Sequence, residues 1–124
     1  MPRESGYKAT VPFETRKHEI DKIRKKYPDR VPILCERHSR AKIPEMSQKK
    51  FLVQENITIG EFLRIIRRNI SLDQEKSLFV FIDNRIPNTG DPLSVIYSEY
   101  MKKHQGDDGY LYMLYTDEAT FGTA

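Results

Sequence analysis

Cysteine is nearly absent from this sequence, and long hydrophobic runs are absent altogether. With Cys35 as its single thiol, the chain cannot form an internal disulfide, which is typical of a reducing compartment. No apolar stretch approaches the roughly 18 residues that a membrane-spanning helix needs. Residues 1–5 lack the apolar segment of a secretory signal, so we expect the sequons at Asn56 and Asn69 to be inert. These absences predict a small cytosolic domain.

Signals of catalysis and of cofactor binding are also lacking. No Gly-rich phosphate loop is present, and the histidines (His18, His38 and His104) lack the spacing of metal ligands. Cys35 lies in an apolar run without a paired His or Asp, which favours a core side chain over a nucleophile. At 124 residues the chain fits one domain and leaves no room for a separate cofactor domain. We therefore expect no enzyme, no metal and no cofactor.

Charge is distributed unevenly along the chain. Residues 1–50 carry 14 Lys or Arg against 7 Asp or Glu, whereas residues 51–124 carry 7 against 11. The basic half suits an acidic protein, an anionic membrane or nucleic acid as partner, although a solvated helix face explains the pattern equally well. No RNA-binding, zinc or helix-turn-helix signature accompanies it, so we do not expect nucleic acid, and binding by charge alone stays a minor alternative.

Periodicity and breaker residues predict seven elements. In order they are a helix over 13–26, strands over 31–36 and 50–54, a helix over 59–70, a strand over 78–82, a short helix after Asp91 and a strand over 110–115. Thr58 and Glu61 have the spacing of a capping box, and Asp91-Pro92 predicts an N-cap followed by the first helical residue. The loop over 37–48 is polar and broken by Pro44.

This order is typical of the ubiquitin-like β-grasp, an α+β fold with a four-stranded mixed sheet, packed helices and, here, an N-terminal helical extension. The almost wholly apolar run 78–82 predicts a central buried strand. Pro32 predicts that the 31–36 strand is weakly paired on one side or lies at an edge. We expect an N-terminal arm over 1–12, the ubiquitin-like domain with its N-terminal helix over 13–116, and a flexible tail over 117–124.

Four stretches are specific enough to indicate a family. They are Phe13-Glu14-x-Arg16, the run from Lys22 to Pro32 (KIRKKYPDRVP), Lys49-Lys50-Phe51-Leu52-Val53, and Asp108-Gly109-Tyr110-Leu111-Tyr112-Met113-x-Tyr115 with Phe121-Gly122 after it. Through them the chain strongly resembles the autophagy ubiquitin-like modifiers, the family of the GABA-A receptor-associated protein and the microtubule-associated protein light chain. The resemblance covers nearly all of residues 8–122.

The resemblance implies a reactive C-terminus at Gly122. In the family a cysteine protease cuts after the matching glycine, which here would release Thr123-Ala124; activating and conjugating enzymes then pass the new carboxylate to phosphatidylethanolamine. Glycine suits this chemistry because it has no Cβ and enters a narrow channel, and Phe121 would anchor the tail in the protease. From the tail alone, an ordinary frayed terminus is the simpler interpretation. The implied location is the cytoplasm, and the autophagosome membrane after lipidation.

The resemblance also implies a docking face for aromatic-x-x-aliphatic peptides of autophagy receptors and adaptors, which would add a strand beside the 50–54 strand. The first pocket, for the aromatic side chain, would comprise Glu19, Ile23, Pro32, Leu34, Lys50, Leu52 and Tyr110. The second pocket, for the aliphatic side chain, would comprise Phe51, Val53, Ile57, Phe62, Ile65 and Ile66. Arg30 and Lys50 would meet acidic residues that flank the peptide. For Phe62 and Ile66 a plain core role is an equal alternative, and the two roles can coexist.

Three positions depart from the family pattern. Gln54 stands where proline is frequent, Asn69 where a basic residue is frequent, and Gln48 where lysine is frequent. Two positive side chains are thereby lost, and Arg67 or Arg68 offers partial compensation at Asn69, so the strength of selection for acidic flanks is left open. The alternative to the conjugated modifier is a β-grasp module that binds peptides and is never conjugated.

Overall fold

The computed structural model describes residues 5–122. The elements in chain order are α1 (Gly6–Thr10), α2 (Phe13–Lys26), β1 (Arg30–Arg37), β2 (Lys50–Gln54), α3 (Ile59–Asn69), β3 (Phe79–Phe81), α4 (Leu93–Lys103), β4 (Leu111–Thr116) and a 3₁₀ turn (Ala119–Gly122). The predicted release of Thr123-Ala124 and the start of the predicted N-terminal arm lie outside the described residues.

The sheet confirms the mixed, four-stranded β-grasp topology. Its strand order is β2-β1-β4-β3. The first and last strands, β1 and β4, run parallel in the middle, with Ile33 opposite Leu111. The two outer pairs, β1 with β2 and β3 with β4, are antiparallel. A parallel central pair needs a crossover between its strands, and α3 lies within that connection.

The prediction that the apolar run 78–82 forms a central strand is wrong. Strand β3 spans only Phe79–Phe81 and lies at the edge of the sheet, paired with β4. Its apolar character comes from cover on both faces, since Val80 and Phe81 are both buried. An apolar run therefore reports burial of side chains, and it does not report how many strands pair with the backbone.

The prediction drawn from Pro32 is also wrong, because β1 is central and pairs on both sides. The Cys35 N–H donates to the Lys49 oxygen at 2.8 Å, on the β2 side. Backbone N–H groups alternate in direction along a strand, so the nitrogen of Pro32 faces the β4 side. The β1–β4 pairing begins only at Ile33, so the missing N–H of Pro32 removes no bond from that pairing.

Helix α3 begins as predicted and α4 does not. Both reciprocal bonds of the capping box between Thr58 and Glu61 are present. At α4 the N-cap is Pro92 itself and no side chain caps the helix, so the predicted Asp91 N-cap is wrong. The Asp91 carbonyl instead accepts the Ile59 N–H at 3.0 Å, which ties the start of α3 to the segment before α4.

The two faces of the sheet are covered differently. Helix α3 packs Phe62 and Ile66 onto one face, in the main core with Ile33. That core also takes in Ala41, Ile43 and Met46, so the loop predicted as polar supplies buried side chains. On the other face, Ile20 of α2 packs with Leu34 and Tyr110 in a smaller cluster. Cys35 is fully buried and burial raises the pKa of its thiol, as expected of a core cysteine.

Candidate functional site

Strand β2 has one paired edge and one free edge. Within residues 5–122 it pairs only with β1. Because the Lys49 carbonyl accepts from β1, alternation directs the backbone groups of Phe51 and Val53 toward β1 as well. The backbone groups of Lys50, Leu52 and Gln54 therefore face away from the sheet. This row of donors and acceptors is what an added peptide strand requires.

Gln48 already uses one acceptor on this edge. Its side-chain Nε2 donates to the Lys50 carbonyl oxygen at 2.8 Å. From the sequence, Gln48 was interpreted only as the loss of a positive charge. The structure adds that its amide lies at the edge strand, where an incoming backbone N–H would compete with it.

The residues assigned to the first pocket lie on the α2 face of the sheet. Contacts join four of them, because the Glu19 carboxylate accepts from Lys50 Nζ at 3.0 Å and from the Tyr110 hydroxyl, and Leu34 packs on Tyr110. Pro32 and Leu52 are partners in the β1–β2 register, and Ile23 lies one helical turn after Glu19. Pro32, Leu34 and Tyr110 are buried, Glu19, Ile23 and Leu52 are partly buried, and Lys50 is exposed.

Tyr7 of α1 is a member of this cluster that the sequence did not predict. Its hydroxyl donates to Glu19 Oε1 at 2.9 Å, and its ring meets Tyr110 edge to face at a centroid distance of 5.7 Å. The Lys50 ammonium lies 4.7 Å from the centre of the same ring. The only sequence signal for Tyr7 was an aromatic side chain in an otherwise polar arm, which gives no position in space.

Three donors hold Glu19 in its charged form. Burial alone would raise the pKa of this carboxyl, but the hydrogen bonds from Tyr110, Lys50 and Tyr7 outweigh it and lower the pKa. Burial alone would lower the pKa of Lys50, but its interactions with Tyr7 and Glu19 outweigh burial and raise that pKa. Burial and the nearby Glu19 charge together raise the pKa of Tyr110, so its hydroxyl remains a donor.

The residues assigned to the second pocket lie on the opposite, α3 face. Phe51, Phe62 and Ile66 are buried core residues, and the Phe51 and Phe62 rings meet edge to face at 5.3 Å. The remaining three, Val53, Ile57 and Ile65, are partly exposed and pack against that core. The set therefore has a buried floor and an accessible rim.

The two sets alternate along β2. Lys50 reaches Glu19 on the α2 face, whereas Phe51 reaches Phe62 on the α3 face. Successive side chains of an extended peptide also alternate, so its residues i and i+3 point to opposite faces. An aromatic-x-x-aliphatic peptide lying along β2 would thus direct one anchor to each set.

The two cations assigned to acidic flanks already have contacts. The Arg30 guanidinium lies 5.0 Å from the centre of the Tyr27 ring, and Lys50 is paired with Glu19. Asn69 donates its side-chain amide to the Ile65 carbonyl at 3.0 Å at the end of α3. This hydrogen bond is local to the helix.

The tail lies against the end of β1. The Phe121 ring stacks on His38 at a centroid distance of 4.7 Å, and the Arg40 guanidinium lies 4.9 Å from its centre on the ring face. Gly122 ends the 3₁₀ turn. The structure therefore places the two residues assigned to processing well away from β2 and does not join them to either pocket.

A separate cavity of about 520 Å³ lies toward the β3 side of the sheet, lined by Arg16, Glu36, Phe81, Tyr100 and Tyr112 among others. Its charged side chains already have partners, as in the Arg16–Asp108, Lys8–Asp107 and His104–Asp83 pairs. In the described part of the chain, no helix is long and apolar enough to cross a membrane. Within the same residues, no three His, Cys, Asp or Glu side chains group as a metal would need.

Comparison with known proteins gives a consistent picture. Residues 15–122 match the family model described as "Autophagy protein Atg8 ubiquitin like". Autophagy-related protein 8 of Mycosarcoma maydis is 44% identical over 118 residues, which cover 95% of this chain and 97% of the relative. Autophagy-related protein 8a of Arabidopsis thaliana is 41% identical over 96% of this chain and 94% of its own length.

A solved structure agrees with both. The crystal structure of Trypanosoma brucei ATG8 superposes with a TM-score of 0.84 at 35% sequence identity, covering 92% of this chain and 95% of that one. The match confirms the ubiquitin-like fold, and the family model confirms the resemblance carried by the four motifs. The chain belongs to the Atg8 family of ubiquitin-like autophagy proteins.

Proposed function

We propose that this protein is a lipid-conjugated autophagy modifier that also docks short receptor peptides. The observation that carries the peptide part is the free edge of β2, with the two residue sets on opposite faces of the sheet. Membership of the Atg8 family supports the conjugation part, and the family model ends at Gly122. Thr123-Ala124 then lies beyond the part that the family shares.

In the proposed reaction the chain supplies the group that is transferred and catalyses none of the steps. A cysteine protease hydrolyses the Gly122–Thr123 peptide bond, and water provides the atoms of the new carboxylate and amine. An activating enzyme adenylates the carboxylate with ATP and releases pyrophosphate; the enzyme's thiol then displaces AMP to form a thioester. The thiol of a conjugating enzyme takes over the acyl group in a second thioester, and the thiol of the activating enzyme leaves. The conjugating enzyme passes the acyl group to the amine of phosphatidylethanolamine, and the enzyme's thiol leaves.

Lipid attachment would give the domain its membrane affinity. Each buried CH₂ contributes about 0.8 kcal/mol, so two acyl chains anchor stably where one is marginal. The proposed location is therefore the cytoplasm before conjugation and the autophagosome membrane after it. The proposed partners are the protease, the two conjugation enzymes and receptors or adaptors with short linear motifs.

Peptide docking would use β-augmentation. Backbone groups of Lys50 and Leu52 pair with the peptide strand, and the aromatic and aliphatic anchors enter the first and second pockets. The Phe62 and Ile66 side chains form the floor of the second pocket and belong to the core at the same time. Residues 13–116 would form the docking domain, with residues 117–124 as the tail that is processed.

The conjugation proposal is tested by intact mass. Protein recovered from nutrient-starved cells should lose Thr-Ala and gain a phosphatidylethanolamine, and Gly122→Ala should abolish both changes. Gly90→Ala is the matched control, because a Cβ there meets only Asn88 Oδ1, at an ordinary 3.5 Å. An unchanged wild-type mass would refute conjugation and leave the unconjugated peptide-binding module.

The docking proposal is tested by calorimetry with a synthetic aromatic-x-x-aliphatic peptide. Leu52→Ala and Lys50→Ala should each weaken binding, by about fivefold or more, since they alter the strand on which the peptide lies. Lys17→Ala, on the exposed side of α2, should bind as wild type does. Binding that survives both β2 substitutions would refute the pocket assignment, and a steep fall with salt alone would favour the charge-only alternative.

A further inference from the structure

Tyr7 makes the contacts that an incoming aromatic anchor would need. It touches three of the seven residues assigned to the first pocket, namely Glu19, Lys50 and Tyr110. Its ring takes the edge-to-face contact with Tyr110 and the ammonium of Lys50. It also packs against the buried cluster of Ile20, Leu34 and Tyr110. An aromatic side chain of this protein thus already uses the polar end of the pocket.

The hydrogen bonds of Glu19 lead to the same conclusion. Its Oε1 accepts from the hydroxyls of Tyr7 and Tyr110, and its Oε2 accepts from Lys50. A carboxylate offers about four acceptor sites, so three are occupied within the chain. A docked peptide can use the one acceptor site that remains on Glu19, and any further bond to this carboxylate requires one of these donors to leave.

Tyr7 is the donor best placed to leave. Helix α1 has five residues and none of them is buried. So short a helix is not stable by itself, and its position depends on its anchors. Those anchors are the Ser5 hydroxyl and Tyr7 N–H on Glu36, the Lys8–Asp107 ion pair at 2.6 Å, and the Tyr7 side chain itself. Lys50 and Tyr110, by contrast, belong to or adjoin strands of the sheet.

We propose that Tyr7 is a built-in competitor of the peptide's aromatic anchor, so that docking displaces Tyr7 and α1 from the first pocket. This inference rests on the proposed docking of aromatic-x-x-aliphatic peptides. It assigns to α1 a role in setting peptide affinity, because every peptide must first replace the Tyr7 contacts. The peptide affinity measured for the intact chain is then lower than the affinity of a first pocket that Tyr7 has already left.

The test compares variants of the full chain with the synthetic peptide by calorimetry. Tyr7→Ala should bind about three- to tenfold more tightly than wild type, the scale of one ring contact and one hydrogen bond. Tyr7→Phe keeps the ring and loses the bond to Glu19, so its affinity should lie between the two. Thr10→Ala is the matched control in α1, because the Thr10 hydroxyl bonds only to carbonyls within that helix.

A second measurement follows the displacement itself. The Val11 N–H donates to the Tyr7 carbonyl at 2.9 Å at the end of α1. Saturating peptide should speed hydrogen exchange of this amide in wild type and leave that of core amides in β1 unchanged or slower.

The outcomes separate this inference from the docking proposal. Weaker or unchanged binding by Tyr7→Ala, with normal wild-type binding, would show that Tyr7 is a wall of the pocket or a bystander, and would overturn the inference alone. Unaltered Val11 exchange in the complex would also overturn it. Absence of binding in wild type and in every variant would overturn the docking proposal and the inference together.

Discussion

At the scale of single residues, the strongest constraint is the pair that joins two of the family motifs. Arg16 of α2 is buried and donates from Nη1 to Asp108, which is fully buried in the turn before β4. Burial alone would lower the pKa of Arg16, but its bonds to Tyr112 and Asp108 outweigh it and raise the pKa. Asp108 also accepts the Tyr110 N–H at 2.8 Å. One carboxylate therefore fixes both α2 and the start of β4.

Arg16→Ala is expected to lower the free energy of unfolding by about 3–5 kcal/mol, because it leaves the Asp108 charge buried and unpaired. Urea unfolding followed by far-UV circular dichroism measures the change. Lys17→Ala is the control, since the Lys17–Asp21 pair is exposed and should contribute less than about 1 kcal/mol. A loss for Arg16→Ala as small as that of the control would contradict the argument.

Gly109 carries a second constraint at this scale. Its φ is +98°, and a Cβ built on it would lie 2.6 Å from Cγ2 of the buried Ile20. Gly106 has a similar φ of +87° with open space around it, so an alanine there would incur the same backbone strain without the clash.

Gly109→Ala should therefore destabilise the domain by about 1–3 kcal/mol more than Gly106→Ala does, which is the usual range for overpacking. Both variants incur the strain of positive φ, so the difference isolates the contact with Ile20. Thermal unfolding of the two variants side by side measures it. Equal melting temperatures would mean that α2 yields to the new methyl group without loss.

At the scale of elements, α1, α2 and β2 are linked through Glu19. Because the folded-state pKa of Glu19 is lowered from 4.5, this carboxylate contributes stability that is present above about pH 4.5. That contribution is lost as pH falls through the folded pKa, when the carboxylate that Tyr7, Lys50 and Tyr110 stabilise takes up a proton.

Glu19→Gln should accordingly lower the free energy of unfolding at pH 7, and the gap to wild type should narrow below pH 4.5. Asp107, whose pKa is also lowered, titrates in both proteins and cancels in the comparison. The measurement is a series of urea unfolding curves from pH 7 to pH 3. A gap that stays constant over this range would refute the assigned role of Glu19.

The elements also show what the sequence can and cannot predict. The Thr58–Glu61 capping box and the helix that follows it are local patterns, and both were predicted correctly. The place of β3 in the sheet depends on partners far along the chain, so an apolar run placed it wrongly at the centre. The pairing predicted from Pro32 was wrong for a related reason, because the side of β1 that the Pro32 nitrogen faces is set by the register with β2.

The same distinction between local patterns and long-range contacts applies to the candidate site. The resemblance supplied residues for both pockets, and the structure brings Glu19, Lys50 and Tyr110 into contact. Whether those residues bind peptide stays a prediction. Tyr7 was missed because nothing local to α1 indicates that its side chain reaches Glu19, twelve residues further along the chain on α2.

At the scale of the whole molecule, the two proposed activities use different parts of the sheet. Leu52 lies opposite Pro32 on β1, whereas Phe121 stacks on His38, beyond the end of β1. Pro32 and His38 are six residues apart along a chain that is extended through Arg37, which corresponds to roughly 20 Å. Substitutions farther apart than about 10 Å with no shared partners usually act independently.

Leu52→Ala should therefore lose peptide affinity while its tail is processed and lipidated as in wild type, and Gly122→Ala should lose lipidation while it binds peptide normally. The double variant should show both losses and no further effect, because neither substitution alters the contacts of the other. Calorimetry with the peptide and intact mass from starved cells give the two readouts. A reduced lipidation yield in Leu52→Ala, with the fold intact by circular dichroism, would show that the β2 edge also serves the conjugation enzymes and that the two activities share one surface.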